Sequence, residues 1–207
     1  MKILINLVGL SHHDVGNGFH SYKNSYENLF INLVEPLREN HHVDFYIQTY
    51  DTEEKNNLEK IYNPIYSNYI ELKKEKSSAF ETYISSINKL KEFDYDFYIV
   101  TRFDLWIGEK INLEFDKFNF LFKEKDWWES HNLTTDTFYG FPKFMLNSFV
   151  STCITCRNKN GQPGYLGLFH KLYTELITHI DSSQINFIDE EHTNVQSSEK
   201  YKLSRYL

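Results

Sequence analysis

Cysteine, proline, glycine and methionine are scarce in this sequence, and no long apolar run is present. The 207 residues include only 2 Cys, 4 Pro, 8 Gly and 2 Met. So few cysteines exclude a disulfide framework, and so little proline and glycine exclude a collagen-like or low-complexity chain. The apolar opening ILINLVGL covers about eight residues, which is too short to cross a bilayer. We therefore expect no membrane span and no signal peptide, and a cytoplasmic location.

The two cysteines form a single C-x-x-C, Cys153 and Cys156. A structural zinc site takes four ligands, and neither a second cysteine pair nor an H-x-x-x-H nearby completes one. We expect two unreactive thiols in a reducing compartment rather than a metal or redox site.

Positive charge is also in short supply. The chain has 22 Lys and Arg against 29 Asp and Glu, a formal net charge of -7. No stretch gathers cations into a stripe, so the composition disfavours nucleic acid as a partner. An acidic protein that binds an anionic ligand needs local donors or a bridging divalent cation.

Aromatic residues are abundant, with 15 Tyr and 17 Phe, and 41% of the chain is apolar. This composition is typical of a globular protein with an aromatic core, and the length suits one domain. Whether the domain belongs to a longer polypeptide stays open.

Hydrophobic patterning predicts strands that alternate with helices. The strands are predicted at 2–10, 43–50, 69–73, 97–103 and 118–122. The helices are predicted at 24–39 with a bend or end around Pro36, and at 51–62, 77–93, 144–155 and 165–180. Residues 126–142 suggest loop and edge, and the tail after Asp181 is polar. The alternation favours an α/β fold with a mostly parallel sheet.

Three aspartates surround the strand in FDYDFYIVTRFDL. Ligands of a parallel sheet bind beyond the carboxyl ends of its strands. Asp94 and Asp96 precede the apolar run, so their D-x-D is expected to end a helix and turn the chain. Asp104 follows the run, and Arg102 shares its face of the strand. Two interpretations of this pair stay open, a local ion pair or a metal-binding site.

Several stretches together resemble a known family. They are an opening strand that ends in Gly9, ENL at 27–29, VDFYIQTYD at 43–51, YDFYIVTRFDL at 95–105 and DTFYG at 136–140. In their order and spacing they resemble small glycosyltransferases of the GT-A type. Bacterial and viral sugar transferases with R-x-D-L in place of D-x-D are the most similar members.

The resemblance implies a GT-A-like nucleotide-binding fold with a mostly parallel central sheet and helices on both faces. It implies one domain, 1–207, with a nucleotide-binding half at 1–105 and an acceptor-side half at 106–207. The implied activity is hexosyltransferase-like, from a nucleotide-sugar donor of the UDP class to a glycan or other hydroxyl acceptor. The implied cofactor is Mn²⁺ or Mg²⁺, which binds oxygen ligands and bridges phosphates.

The resemblance also assigns roles to residues. Asp104 is the candidate metal ligand, with His192 as a further one, and Arg102 steadies that carboxylate or contacts phosphate. The nucleoside is expected near Gly9, Thr49, Tyr50 and Asp51. Asp136 is the candidate catalytic base for the acceptor hydroxyl.

Structural interpretations of these residues stay open. Tyr50 also suits an edge aromatic, Asp51 a helix N-cap and Asp136 a turn. The run 189–192 suits a solvated acidic segment as well as a base or metal ligand. The histidines His12, His13, His20, His41 and His42 are expected on the surface or in loops, and a role in the site stays open for His12 and His13 because they follow strand one at its nucleotide end. Adjacent Trp127 and Trp128 cannot both face a core, so one is expected to be exposed beside the acceptor.

Two other functions stay open at this level. The same cation site suits a metal-dependent phosphate or nucleotide hydrolase. A non-catalytic domain that binds a sugar nucleotide also fits the pattern.

Overall fold

The computed structural model describes residues 1–14, 18–72, 79–160 and 169–204, with the backbone alone at 79–81. Its strands are β1 (Lys2–Gly9), β2 (His12–Asp14), β3 (Phe19–Ser21), β4 (His42–Tyr50), β5 (Tyr66–Ile70), β6 (Phe97–Arg102), β7 (Leu105–Ile107), β8 (Phe118–Phe120), β9 (Phe138–Pro142), β10 (Ile185–Phe187) and β11 (Tyr201–Leu203). Its α-helices are α1 (Tyr26–Leu29), α2 (Glu35–Arg38), α3 (Lys55–Tyr62), α4 (Ala79–Lys89), α5 (Trp128–His131), α6 (Leu146–Lys159) and α7 (Leu172–Leu176). Within the described ranges, no helix combines the length and apolar character needed to cross a membrane.

Seven strands form one central sheet in the order β10-β8-β9-β6-β1-β4-β5. The pairs β1–β4, β1–β6, β4–β5 and β8–β10 are parallel, and β9 runs antiparallel to β6 and β8. Two antiparallel pairs, β2–β3 and β7–β11, lie outside this sheet. The mostly parallel sheet predicted from the sequence is confirmed.

The central strand β1 is buried on both faces, as its continuous apolar run predicts. Ile3, Ile5 and Leu7 pack in one core cluster with residues of α1, α2 and α3. Leu4 and Val8 pack in a second cluster with residues of α4, α6 and α7. Helices therefore cover both faces of the sheet. Each fully buried side chain of this kind stabilises the fold by about 1.5–3 kcal/mol.

The helix predicted at 24–39 contains a change of geometry. A π-helical turn at Phe30–Val34 joins α1 to α2, and Pro36 stands in the first turn of α2. Proline has no N–H and its ring clashes with the preceding turn of a regular α-helix. The wider π turn before Pro36 accommodates it, so the helix continues where the sequence predicted a bend or an end.

The prediction of loop and edge at 126–142 was wrong in part, since residues 132–137 form neither a helix nor a strand. This segment contains α5 and β9, and every residue of β9 is buried inside the sheet. Glycine and proline weaken a strand assignment, and FYGFP contains both. A Cβ at Gly140 would lie 3.3 Å from the side chains of Phe97 and Leu113, so the packing there is tight around the glycine. The polar tail likewise contains the unpredicted strands β10 and β11.

Candidate functional site

Parallel pairing brings the ends of β1, β4 and β6 to one edge of the sheet. In the registers of these strands Gly9 pairs with Thr49, and Val8 pairs with both Gln48 and Arg102. The side chains that follow these strands share the edge where ligands of parallel sheets bind. The residues predicted to bind the nucleoside, such as Gly9 and Thr49, and the residue predicted to contact phosphate, Arg102, therefore lie at the ends of neighbouring strands.

The literal D-x-D lies at the opposite end of β6, as strand direction predicted. Asp96 accepts a hydrogen bond from the backbone N–H of Lys2 at 2.7 Å, which ties the starts of β6 and β1 together. Asp94 pairs with the ammonium of Lys143 at 2.6 Å in an exposed position. Both aspartates therefore have structural partners away from the candidate site.

Arg102 and Asp104 form a two-bonded ion pair at the carboxyl end of β6. Nε and Nη2 of Arg102 donate to the carboxylate at 2.8 and 2.9 Å. Asp104 is 2% exposed while Arg102 is 23% exposed. Burial opposes the charge of Asp104, but Arg102 and a hydrogen bond from His20 outweigh it and hold the pKa of Asp104 well below its ordinary value. The pair is therefore ionised at neutral pH.

His20 corrects one expectation from the sequence. It was predicted on the surface or in a loop, but it stands on β3 with only 2% of its side chain exposed. Its Nδ1 donates to Oδ2 of Asp104 at 2.8 Å. Arg102 already donates to both carboxylate oxygens, so His20 adds a second donor to Oδ2.

The predicted metal ligands do not come together in this arrangement. Both oxygens of Asp104 accept hydrogen bonds from Arg102 or His20. His192 instead lies 3.9 Å from Glu129, with its ring 6.2 Å from that of Trp128. No contact joins Asp104 to His192 among the described residues, and a metal at Asp104 stays a prediction.

A different group of possible metal ligands lies near the end of β4. One atom each of His12, Glu53 and Glu54 falls within 4.8 Å of the others. Glu54 already accepts hydrogen bonds from Tyr22 at 2.9 Å and from the ammonium of Lys23 at 2.7 Å. Because that ammonium repels a second cation, the group is poorly suited to bind a metal.

The predicted nucleoside residues lie close together but differ in exposure. The hydroxyl of Thr49 donates to the carbonyl oxygen of Gly9 at 2.7 Å. Tyr50 is 3% exposed, so its ring presents little surface to a base. Asp51 is exposed, and the N-cap of α3 is Glu54, so the interpretation of Asp51 as that cap was wrong.

Replacing Gly9 by alanine should destabilise the fold by about 1–2 kcal/mol, because Gly9 has a φ of 101° that side-chain-bearing residues rarely adopt. A Cβ there would meet nothing within 4 Å, so the cost comes from the backbone and not from a clash. Urea denaturation of Gly9→Ala against the wild type measures it. A urea midpoint equal to that of the wild type would show that alanine adopts this backbone conformation without strain.

A cleft of about 370 Å³ opens beside Arg102. Both predicted catalytic residues, Arg102 and Asp136, line it. Its other lining residues are Glu124, Asp126, Trp127, Leu133, His170, Asn194, Val195, Gln196 and Leu203. The cleft therefore joins the end of β6 to the acceptor-side half of the chain.

The two tryptophans divide as expected. Trp127 is 47% exposed and lines the cleft. Trp128 is half-buried and packs on Tyr173 and Phe187, with ring centroids 4.9 and 5.6 Å away. The exposed indole gives the cleft an apolar surface of the kind that sugar rings stack on.

Glu124, His170 and Asp136 form a titratable cluster in the cleft. The ring nitrogens of His170 lie 3.9 Å from Glu124 and 3.7 Å from Asp136. Burial raises the pKa of Glu124 to about 7; the charge of His170 opposes this shift, and those of Asp136 and Asp126 add to it. Glu124 therefore changes charge near neutral pH, as groups at functional sites often do.

Sequence reasoning missed Glu124 and His170. Glu124 follows β8, so the rule that selected Asp104 at a strand end also applies to it. His170 lay inside a predicted helix, where no spacing signal marks it. Residues 165–168 of that helix lie outside the described part of the chain, and the described part is a 3-10 turn, Phe169–Lys171, followed by α7.

The acidic run near the end of the sequence has mixed character. Glu190 and Glu191 are exposed, whereas Asp189 is 6% exposed and lies 3.7 Å from the ammonium of Lys200. None of these carboxylates lines the cleft among the described residues.

Neither a protein-family model nor a curated protein matches the chain. The case for its function therefore rests on the geometry and chemistry of its residues.

Proposed function

We propose that the chain is a glycosyltransferase that moves a sugar from a nucleotide-sugar donor of the UDP class to a hydroxyl acceptor. One observation carries the proposal. Arg102 is held by the buried Asp104 at the carboxyl end of a parallel strand, and it lines a cleft that also holds Asp136 and an exposed indole. The mostly parallel sheet with helices on both faces supports a GT-A-like arrangement.

The donor side is proposed at the ends of β1, β4 and β6. Gly9, Thr49 and Asp51 follow or end strands next to Arg102, which suits a nucleoside whose diphosphate reaches toward the guanidinium. Asp51 is exposed at this edge, so its carboxylate suits a ribose hydroxyl.

Arg102 is placed to stabilise the negative charge that develops on the diphosphate when its bond to the sugar is cleaved. As the bond between the sugar carbon and the diphosphate oxygen cleaves, its electron pair stays on the diphosphate. The two bonds to Asp104 use two of the five N–H donors of the guanidinium, and no other bond links it to the described residues. The remaining donors are fixed in place before the charge appears, which is how preorganised groups stabilise a transition state.

Asp104 then acts as a positioning residue for Arg102. A divalent cation carried by the diphosphate stays part of the proposal, but no step at Asp104 is assigned to it. Asp136, 24% exposed in the cleft, is the candidate base on the acceptor side.

Donor binding should appear as a thermal shift. At a concentration of about 100 times Kd a ligand stabilises by about 2.7 kcal/mol, which corresponds to about 5–10 °C for a chain of this size. We expect such a shift with UDP-glucose, UDP-galactose or UDP-N-acetylglucosamine, in the presence of Mn²⁺, followed by slow release of UDP.

Variants and control ligands make this test specific. Arg102→Lys keeps the charge but loses the two-bonded geometry, so the donor shift should fall by more than half. Asp94→Ala should retain the full shift, and the free sugars should give none. The absence of any shift with all three donors, with and without Mn²⁺, would reject the proposed function.

A further inference from the structure

The protonation pattern of His170 is set by its surroundings. Nδ1 lies 2.9 Å from the carbonyl oxygen of Thr134, and because a carbonyl only accepts, Nδ1 carries the hydrogen. The neutral ring therefore keeps its lone pair on Nε2, the nitrogen 3.7 Å from Asp136. His170 thus presents a proton acceptor beside a carboxylate in the cleft.

The backbone holds this histidine in place. The N–H of Thr134 donates to the carbonyl oxygen of His170 at 3.0 Å, so the two residues are joined by two hydrogen bonds. The neighbouring Lys171 donates to the carbonyl oxygen of His131 at 2.6 Å. The ring therefore keeps its orientation when a ligand enters, as catalytic groups require.

His170 and Asp136 place two hydrogen-bond acceptors side by side in the cleft. Nε2 and the carboxylate oxygen lie 3.7 Å apart, which exceeds a hydrogen-bond length. A hydroxyl carries one proton, so a hydroxyl oxygen about 2.8 Å from Nε2 donates to that nitrogen alone, and Asp136 accepts from a different hydroxyl. The pair therefore suits a ligand that carries neighbouring hydroxyl groups.

We propose that His170 is the catalytic residue that takes the proton of the acceptor hydroxyl, with Asp136 and Glu124 as its flanking carboxylates. The inference rests on the proposed glycosyltransferase function. It gives His170 the role of catalytic base, which the sequence analysis gave to Asp136. The acceptor oxygen bonds to the sugar carbon, and the bond from that carbon to the diphosphate oxygen breaks with its electron pair left on the diphosphate. The hydroxyl proton moves to Nε2.

The surrounding charges stabilise the product of this step. Protonated His170 lies within 4 Å of carboxylate oxygens of both Asp136 and Glu124. Asp126 and Arg102 are the other charged groups of the cleft near them. Because the pKa of Glu124 is raised to about 7, its ionisation responds to the charge of His170 at neutral pH.

The acceptor class follows from the same cleft. Trp127 is 47% exposed and lines the same cleft as His170 and Asp136, with its ring stacked on His131. A sugar ring offers both an apolar face for stacking and hydroxyls for hydrogen bonding, so we assign the acceptor to carbohydrates.

The test compares the pH profiles of UDP release by the wild type and its variants. The donor is the one that gives the strongest thermal shift, and the acceptor is water or methyl glucoside. In the wild type the rate should fall at acid pH, because a base that already holds a proton accepts no other. His170→Gln should lower the rate at least 100-fold and remove this acid limb, while the donor shift stays unchanged. Glu124→Gln should lower the rate about 10-fold and move the acid limb to lower pH, because a neutral amide no longer stabilises the imidazolium.

Two further measurements separate a chemical role from a structural one. Added imidazole should restore UDP release in His170→Gly but not in Asp136→Ala. The exposed His179 supplies the matched control, and His179→Gln should behave as the wild type does. A rate within threefold of the wild type for His170→Gln, with its acid limb intact, would overturn the role of His170. The absence of any donor shift in the wild type would reject the proposed function and this inference together.

Discussion

Arg102→Leu should lower the free energy of unfolding by about 3 kcal/mol or more, the largest stability loss that we expect of a single substitution in the site. The substitution leaves the carboxylate of Asp104 buried at 2% exposure with His20 as its remaining side-chain partner. A buried charge that loses its partner costs far more than an exposed one, since water cannot replace the partner. Guanidinium denaturation at pH 7 measures the loss.

The exposed pair at the other end of β6 provides the control. Asp94 and Lys143 have side chains 83% and 59% exposed, so Asp94→Ala should change stability by less than about 0.5 kcal/mol. Replacing both Arg102 and Asp104 by leucine should recover much of the loss, because no buried charge then remains. If Arg102→Leu cost no more than Asp94→Ala, the ion pair would not hold this strand end.

Glu124→Gln should stabilise the protein at alkaline pH by about 2–3 kcal/mol relative to the wild type, and by little at pH 5. Burial raises the pKa of Glu124 to about 7 from an ordinary 4.5. A carboxyl group whose pKa is raised on folding contributes stability that is fully present below pH 4.5 and is lost as the pH rises through 7. The amide does not titrate, so the difference between the two proteins should grow across that range.

Urea denaturation at pH 5, 7 and 9 tests this dependence. Glu129 is 85% exposed, so Glu129→Gln should show the same pH dependence as the wild type. A Glu124→Gln protein that gained no stability between pH 5 and 9 would show that Glu124 is ionised throughout. If the inference about His170 holds, the same variant gains stability while it loses activity, a trade-off common at functional sites.

Strand direction predicted from sequence alone which charged residues lie at the carboxyl end of β6. It selected Arg102 and Asp104 over Asp94 and Asp96 because a parallel sheet gathers its ligands at one edge. The apolar run at 97–103 made the strand and its direction clear. This part of the site depends on local pattern, which a sequence contains directly.

The rest of the site depends on contacts between distant residues. His20 bonds to Asp104 across 84 positions, and no local pattern marks either residue for the other. Glu124 and His170 lie 46 positions apart in sequence but 3.9 Å apart in space. β9, which begins two residues after Asp136, was missed because FYGFP contains the glycine and proline that strand propensity disfavours.

The pairing of β11 with β7 has a consequence for biosynthesis. The backbone N–H of Ser204 donates to the carbonyl oxygen of Asp104 at 2.7 Å. The hydroxyl of Ser204 donates to the carbonyl oxygen of Ser21 at 3.0 Å. Leu203 also lines the cleft. On a translating ribosome the central strands emerge well before these residues, so the sheet is able to form while one wall of the cleft is still absent. The proposed binding cleft is therefore completed late in synthesis, after most of the hydrophobic core is available.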